Sequence, residues 1–280
     1  MDPVVSILVR SRNDGRFIGE TLRAIFGQEG APPFEVLSCD DGSTDRTPEI
    51  IAEFPAVRRL PRPEGDYFPG RVLNHMVRNS RGGMIVFNNA DAVPQDTSWL
   101  RNLISPLLED RADAVYGNQL PRPDAEYLVR KDNLRAFGDG STAARWKFFF
   151  SLATAAARRD DLLRHPFDES LRYSEDVEWA HRRKLRIVYA ADAKVEHSHN
   201  YTLAELKRRF YGEGFADAAI YGKMPALWRE LASGAMEVLR DAAFLLAHPA
   251  GLRELPLSPV RRFVQRYYHW KGGRDHGCTG

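Results

Sequence analysis

Apolar and polar positions in the first 120 residues follow two rhythms. Val4–Val9, Phe34–Cys39 and Met84–Asn88 are short apolar runs bounded by Asn, Asp or Gly, and they predict strands covered on both faces. Between the first two, Ile18, Leu22, Ile25 and Phe26 recur at helical spacing and form one apolar face. Thr47-Pro48-Glu49 predicts an N-cap, an N1 proline and a first-turn acid, and a helix-like stretch covers residues 70–80. Residues 113–117 and 186–191 predict further strands. This alternation points to an α/β fold with a mostly parallel sheet flanked by helices. Residues 120–150 lack such periodicity, carry Pro121, Pro123, Gly138 and Gly140, and predict a long loop or lid. A capping box, Thr202 to Glu205, opens a later helix, and a helix-rich tail broken at Pro249, Pro256 and Pro259 follows Pro225.

A chain of 280 residues with 43% apolar and 28% charged residues has the profile of a well-cored domain with an appendage. A net charge of +2 excludes a general polyanion binder, and no nucleic-acid partner is expected. The charge is uneven: Arg253 to Gly280 holds six Lys/Arg against two acids, interleaved with Phe263, Tyr267, Tyr268 and Trp270. Cys39 and Cys278 are too few for a disulfide framework and suit a reducing compartment. The N-terminus lacks the pattern of a signal peptide, and the longest apolar run, residues 242–247, is too short to span a bilayer. A cytoplasmic location is expected.

Ligands of parallel sheets bind outside the carboxyl ends of the strands. That rule gathers Arg10-Ser11-Arg12, Asp40-Asp41 and Asn88 to Asp91 at one rim. Asp40 and Asp41 suit a turn, or they accept hydrogen bonds from a nucleobase or ribose, with the flat Arg12 guanidinium available to stack. Asp91 holds the Pro94 turn or offers hard oxygen to Mg²⁺ or Mn²⁺. Glu175 and Asp176 answer a helix dipole, or one of them serves as a general base. His197 and His199 would face one side of an extended segment, where imidazoles bind metal or phosphate.

In their order these segments resemble glycosyltransferase family 2 enzymes of the GT-A fold. "VSILVRSRN" is similar to the opening strand, "DDGSTDRT" to the nucleotide-binding turn, "YFPGRVLNHMVRNSRGGMIVFNNADAVP" to the approach to the metal-binding region, and "YSEDVEW" to the motif holding the base. Within the family the look is nearest to bacterial rhamnosyltransferases. The resemblance implies a catalytic domain over residues 1–224, Rossmann-like, and a helical, basic and aromatic extension over 225–280. It implies inverting transfer from a nucleotide-diphosphate sugar, dTDP-rhamnose or a UDP- or GDP-sugar, to a glycan or lipid-linked acceptor, in polysaccharide biosynthesis. Asp176 would be the general base with Glu175 beside it. Asp40, Asp41, Arg10 and Arg12 would hold the nucleotide, Asn89 and Ala90 would line the donor, and Arg71 and Asn74 would flank it. Asp91 with His197 or His199 would hold a divalent cation, Mg²⁺ or Mn²⁺. Many members carry an Asp where this chain has Asn89, which removes one charge from that site. The extension suits a peripheral contact with the inner face of the membrane or a homodimer contact. A non-catalytic nucleotide-sugar-binding or scaffold protein of the same fold is the alternative function.

Overall fold

The computed structural model describes residues 2–141, 145, 146, 148–222 and 225–277; Met224, at the expected domain boundary, and Cys278 lie outside the described residues. In chain order the elements are β1 (Val5–Ser11), α1 (Ile18–Phe26), β2 (Phe34–Asp40), α2 (Thr47–Ala52), β3 (Val57–Leu60), α3 (Pro69–Asn79), β4 (Met84–Asn89), β5 (Val93–Pro94) and α4 (Trp99–Leu108). They continue with β6 (Ala114–Leu120), α5 (Tyr127–Ala136), β7 (Thr154–Arg158), α6 (Arg159–Arg164), α7 (Glu175–Arg183) and β8 (Ile187–Glu196). The helices α8 (Leu203–Tyr221), α9 (Leu227–Ala247) and α10 (Ser258–Gly277) complete the chain, the last two joined by a 3₁₀ segment, Pro249–Leu257. Two compact units result: Met1–Leu120 with Ala136–Ser170 and Glu175–His197, and Pro121–Arg135 with Leu171–Ser174 and Ser198–Gly280.

The first unit is built on an eight-stranded sheet ordered β3-β2-β1-β4-β7-β6-β8-β5. Strands β3, β2, β1 and β4 run parallel, as the alternation predicts, while β7 pairs antiparallel with both β4 and β6. Successive residues of β1 feed opposite faces of the sheet. Val5, Ile7 and Val9 pack with α1 and α4 residues such as Leu22, Trp99 and Leu103. Leu8 packs on the other face with Leu73, Met76 and Trp179 of α3 and α7. Burial of each such side chain contributes roughly 1.5–3 kcal/mol. Thr47 is the first residue of α2 rather than its N-cap; its amide and hydroxyl both donate to Asp45 Oδ1, at 3.0 and 2.6 Å.

Pairing of β6 with β8 breaks between Gly117 and Asn118, where the register jumps from Gly117↔Ala190 to Asn118↔Lys194. Residues 191–193 of β8 are thus extra, and such bulges re-aim the strand beyond them. The end of β8 then pairs antiparallel with β5, Val93 opposite Glu196.

The second unit is helical. Its first helix, α5, lies inside the stretch expected to be a loop or lid, which corrects that expectation. The amides of Tyr127 and Leu128 donate to the Glu254 carboxylate at 2.9 and 3.0 Å, tying down the start of the helix. Lys131 donates to Asp241 and, at 3.3 Å, to Glu237. Arg262 reaches Asp241 at 2.7 Å and Asp132 at 2.8 Å. Arg261 pairs with Glu126, and Arg266 with Glu230 at 3.4 Å. Arg261, Arg262 and Arg266 of the basic cluster are therefore engaged in internal ion pairs, while Lys271 lies over the Tyr268 ring. The capping box is present, with both Thr202–Glu205 bonds made. Among the described residues no helix is long and apolar enough to cross a membrane.

Candidate active site

Three parallel strands end side by side. Asp40 on β2 lies opposite Ser11 on β1, and Arg10 lies opposite Asn89 on β4. Ladder-like bonds continue past the strand ends: Asp41 N donates to Ser11 O at 2.9 Å, and Ala90 N donates to Arg10 O at 3.2 Å. The Asn89 amide donates to Ala153 O at 3.0 Å.

Asp40 and Asp41 divide the turn between them. Asp40 accepts from the hydroxyls of Ser11 and Ser43, at 2.9 and 2.6 Å, and so braces the turn. Asp41 is buried yet meets two exposed guanidinium groups, Arg12 at 3.1 Å and Arg62 at 2.8 Å. Such charge-assisted pairs hold a carboxylate in place. Arg62 was not expected. It follows β3, a four-residue edge strand with two arginines that has no apolar alternation to betray it. Asp14 is another member without a sequence signal: burial, with Asp91, Asp45 and Asp40 nearby, pushes its carboxyl up to about 6 against the lowering bond from the Arg12 amide.

Asp176 opens α7 and accepts from its own helix at Val177 N, 2.8 Å, and from Leu152 N, 3.3 Å. It keeps part of its surface open, but surrounding protein removes most of its hydration. That desolvation, followed by repulsion from Glu175, pushes it up to about 7. Glu175 is buried and pairs with Arg10 at 3.5 Å. Burial would lower the pKa of Arg10, yet Tyr67, Glu175 and Asp176 together raise it, so the guanidinium stays charged. Ser174 precedes the helix with φ at +60°, a left-handed conformation that costs about 1 kcal/mol outside glycine.

The β5–β8 pairing explains the third group. With Val93 opposite Glu196, Asp91 just before β5 falls beside His197 just after β8, and Asp91 Oδ1 lies 3.5 Å from His197 Nε2. His199 follows two residues along the same extended segment, so the chain itself fixes its place near His197. Ligand atoms of Asp91, His197 and His199 lie within 4.8 Å of one another. One carboxylate and two imidazoles form a donor set suited to a divalent ion of the Mn²⁺ to Zn²⁺ range. Both histidines, left as alternatives by the motif, are in position.

Two expected donor residues are engaged differently. Asn74 is buried, donates to Phe167 O at 2.9 Å and accepts from Phe167 N at 3.0 Å, which makes it a brace within the wall. Arg71, more open, approaches Glu169 at 3.9 Å and lies over the Phe68 ring.

Residues 6–166 match the family model described as Glycosyl transferase family 2. The O-antigen chain rhamnosyltransferase RfbN of Salmonella typhimurium is 26% identical over 226 residues, 75% of this chain and 71% of that protein. A solved mannosyltransferase from Pyrobaculum calidifontis, in complex with GDP-Man and Mn²⁺, superposes with a TM-score of 0.66 at 23% identity, over 99% of this chain and 87% of the other. Glucosyl-3-phosphoglycerate synthase from Mycobacterium tuberculosis, solved with Mn²⁺, UDP-glucose and phosphoglyceric acid, gives a TM-score of 0.55 at 19% identity, over 73% of this chain and 75% of the other. These likenesses show the GT-A fold.

Proposed function

The chain belongs to glycosyl transferase family 2, and from that premise we propose that it transfers a sugar from a nucleotide-diphosphate donor to a hydroxyl of a glycan or lipid-linked acceptor, with inversion. Similarity to an O-antigen rhamnosyltransferase favours dTDP-rhamnose as donor over a UDP- or GDP-sugar, and polysaccharide biosynthesis as the setting.

The observation that carries the reading is Asp176, a carboxylate pushed up to about 7 and held beside the Arg10–Glu175 pair at the rim where β1, β2 and β4 end. A carboxylate of that basicity accepts a proton near neutral pH, and positioned proton transfer contributes roughly 10²–10⁴-fold. The acceptor oxygen attacks the anomeric carbon and its proton passes to Asp176. The bond from that carbon to the diphosphate oxygen breaks, and its electron pair leaves with the nucleotide. One base and no second carboxylate assigned as nucleophile make this a single displacement.

Asp41, clamped by Arg12 and Arg62, takes the base, and Asp40 shapes the turn that presents it. Arg12 is open enough to stack on the nucleobase. Asn89 and Ala90 line the donor and Arg71 flanks it, with Asn74 acting through the wall. Asp91, His197 and His199 would hold a divalent cation, which supplies Lewis-acid neutralisation of charge on the diphosphate. Lacking a carboxylate at residue 89, the site carries one negative charge fewer, which favours the softer Mn²⁺ over Mg²⁺. Residues 225–280 we assign to contact with the surface carrying the acceptor, or with a second subunit.

A thermal-shift screen of nucleotide sugars with and without Mn²⁺ tests the reading, followed by donor turnover and Asp176→Asn. Stabilisation by one donor class and loss of turnover in the variant are expected. Wild-type turnover in Asp176→Asn overturns the base, and donor binding without any turnover by the wild type supports the non-catalytic alternative.

A further inference from the structure

Helix α9 is amphipathic in the reverse of the usual sense. Its buried residues are Glu230, Gly234, Glu237, Asp241 and Leu245, and the three acids among them are 5%, 5% and 0% exposed. Trp228, Leu239 and Leu246 are instead 66%, 64% and 68% exposed. At about 100° per residue these three fall within roughly 20° of one line along the helix. Leu231 and Met236 border the same face and are also exposed.

Ordinary surface helices bury apolar side chains and display charge. Here the carboxylates turn inward because cations meet them: Lys131, Arg135 and Arg240 reach Glu237, Lys131 and Arg262 reach Asp241, and Arg266 reaches Glu230. That inversion leaves a contiguous apolar stripe on a helix about 30 Å long, and stripes of that size mark interaction sites.

The charges bordering the stripe identify what covers it. With Glu230, Glu237 and Asp241 internal, the exposed charged residues of α9 are Arg229 and Arg240, of which Arg240 is paired with Glu237. Arg229 lies 5.2 Å over the Trp228 ring, an aromatic and cation pair suited to the boundary between acyl chains and headgroups. An apolar face with arginine along one margin and its acids withdrawn complements an anionic surface. A second copy presenting the same face would add its own arginines and bring no exposed acid of α9 to answer them.

We propose that α9 lies in the plane of an anionic lipid bilayer, with Trp228, Leu239 and Leu246 inserted at the acyl boundary and Arg229 at the headgroups. This deepens the reading of the C-terminal extension given above and uses no step of sugar transfer, so vesicle binding and donor turnover fail separately. Flotation of the full-length protein with phosphatidylcholine vesicles, with and without phosphatidylglycerol, at low and high salt, tests it. The wild type is expected to float with the anionic vesicles, less so at high salt. Leu239→Glu with Leu246→Glu should weaken binding at least about tenfold at unchanged donor hydrolysis. Arg229→Glu should weaken it further and flatten the salt dependence. Leu239→Ser with Leu246→Ser replaces the glutamates if they lower the melting temperature. A wild type that does not float overturns the proposal, as do variants that float like it. A dimer in light scattering that the leucine variants dissociate also overturns it, in favour of a second copy.

Discussion

Gln119 and His197 meet across the β6–β8 pairing, with Gln119 Oε1 2.8 Å from His197 Nδ1. The Gln119 amide nitrogen donates to Ser151 Oγ at 2.8 Å, which leaves its oxygen to accept. His197 therefore carries its proton on Nδ1 and keeps the Nε2 lone pair on the side of Asp91. A buried acceptor of this kind orients an imidazole ligand and raises its basicity.

Gln119→Leu removes that acceptor while keeping the volume. Mn²⁺ affinity should fall about 10–100-fold, read directly by electron paramagnetic resonance titration without any donor present. Gln119→Glu, which still accepts, should retain most of it. An unchanged dissociation constant in Gln119→Leu would show that the contact is packing alone.

A second expectation concerns pH. In the base role proposed for it Asp176 must be ionised to accept a proton, so the transfer rate should climb with pH to a shoulder near its value of about 7. Stability runs the other way. The folded value lies above the ordinary 3.8, so between the two the folded protein holds a proton that the unfolded chain has released. Stability from this group is thus present at the acid end of that window and is lost as pH rises through it. Asp176→Asn should gain melting temperature over the wild type at about pH 8 and little at about pH 5. A variant no more stable than the wild type at the higher pH would mean that the carboxylate is not strained by burial.

Much of this site was legible in the chain, because β1, β2 and β4 are short, mostly apolar runs whose ends lead to Arg10, Asp41 and Asp91. What the residue pattern hides has physical causes. The β7 strand is Thr154–Arg158, with three alanines that favour helix, and sheet pairing on both sides overrides that preference. Two-residue β5 is too short for any period, yet it sets Asp91 beside His197. Helix α5 read as a loop because its buried positions include Lys131, an inward charge that periodicity counts as surface. The same blindness to ion pairs made Arg261, Arg262 and Arg266 look like an exposed patch.

The bulge between β6 and β8 supplies a third test. A Cβ at Gly117 would stand 2.5 Å from Ala193 O and 2.9 Å from Thr154 Cγ2. Thr154 is itself fixed, accepting from Trp99 Nε1 at 3.0 Å, so neither neighbour yields easily. Gly117→Ala should cost about 1–3 kcal/mol in urea denaturation and weaken Mn²⁺ binding, since the bulge aims the residues that lead to His197. Gly83→Ala, where a Cβ meets nothing within 4 Å, is the matched control and should stay within about 0.5 kcal/mol. Equal behaviour of the two would remove the bulge from the account of the site.

The helical unit depends on charges that cannot be removed singly. Asp241 is fully buried and accepts from Lys131, from Arg262 at 2.7 Å and from Ser258 at 2.6 Å. Breaking such a network from one side strands cations in a dry interior, so Asp241→Ala should cost about 3–5 kcal/mol. Glu237 belongs to the same network. Burial alone would raise it, but bonds from Arg135 and Arg240 outweigh that and hold it down at about 2, below its ordinary 4.5. Its stabilisation is therefore complete above the ordinary value and is lost as pH falls toward about 2. Acid titration followed by far-ultraviolet circular dichroism should show helix loss in that interval, shifted to higher pH in Glu237→Gln. Helix content flat across the window, together with a small cost for Asp241→Ala, would mean that apolar packing and not the buried ion network holds α5, α9 and α10 together.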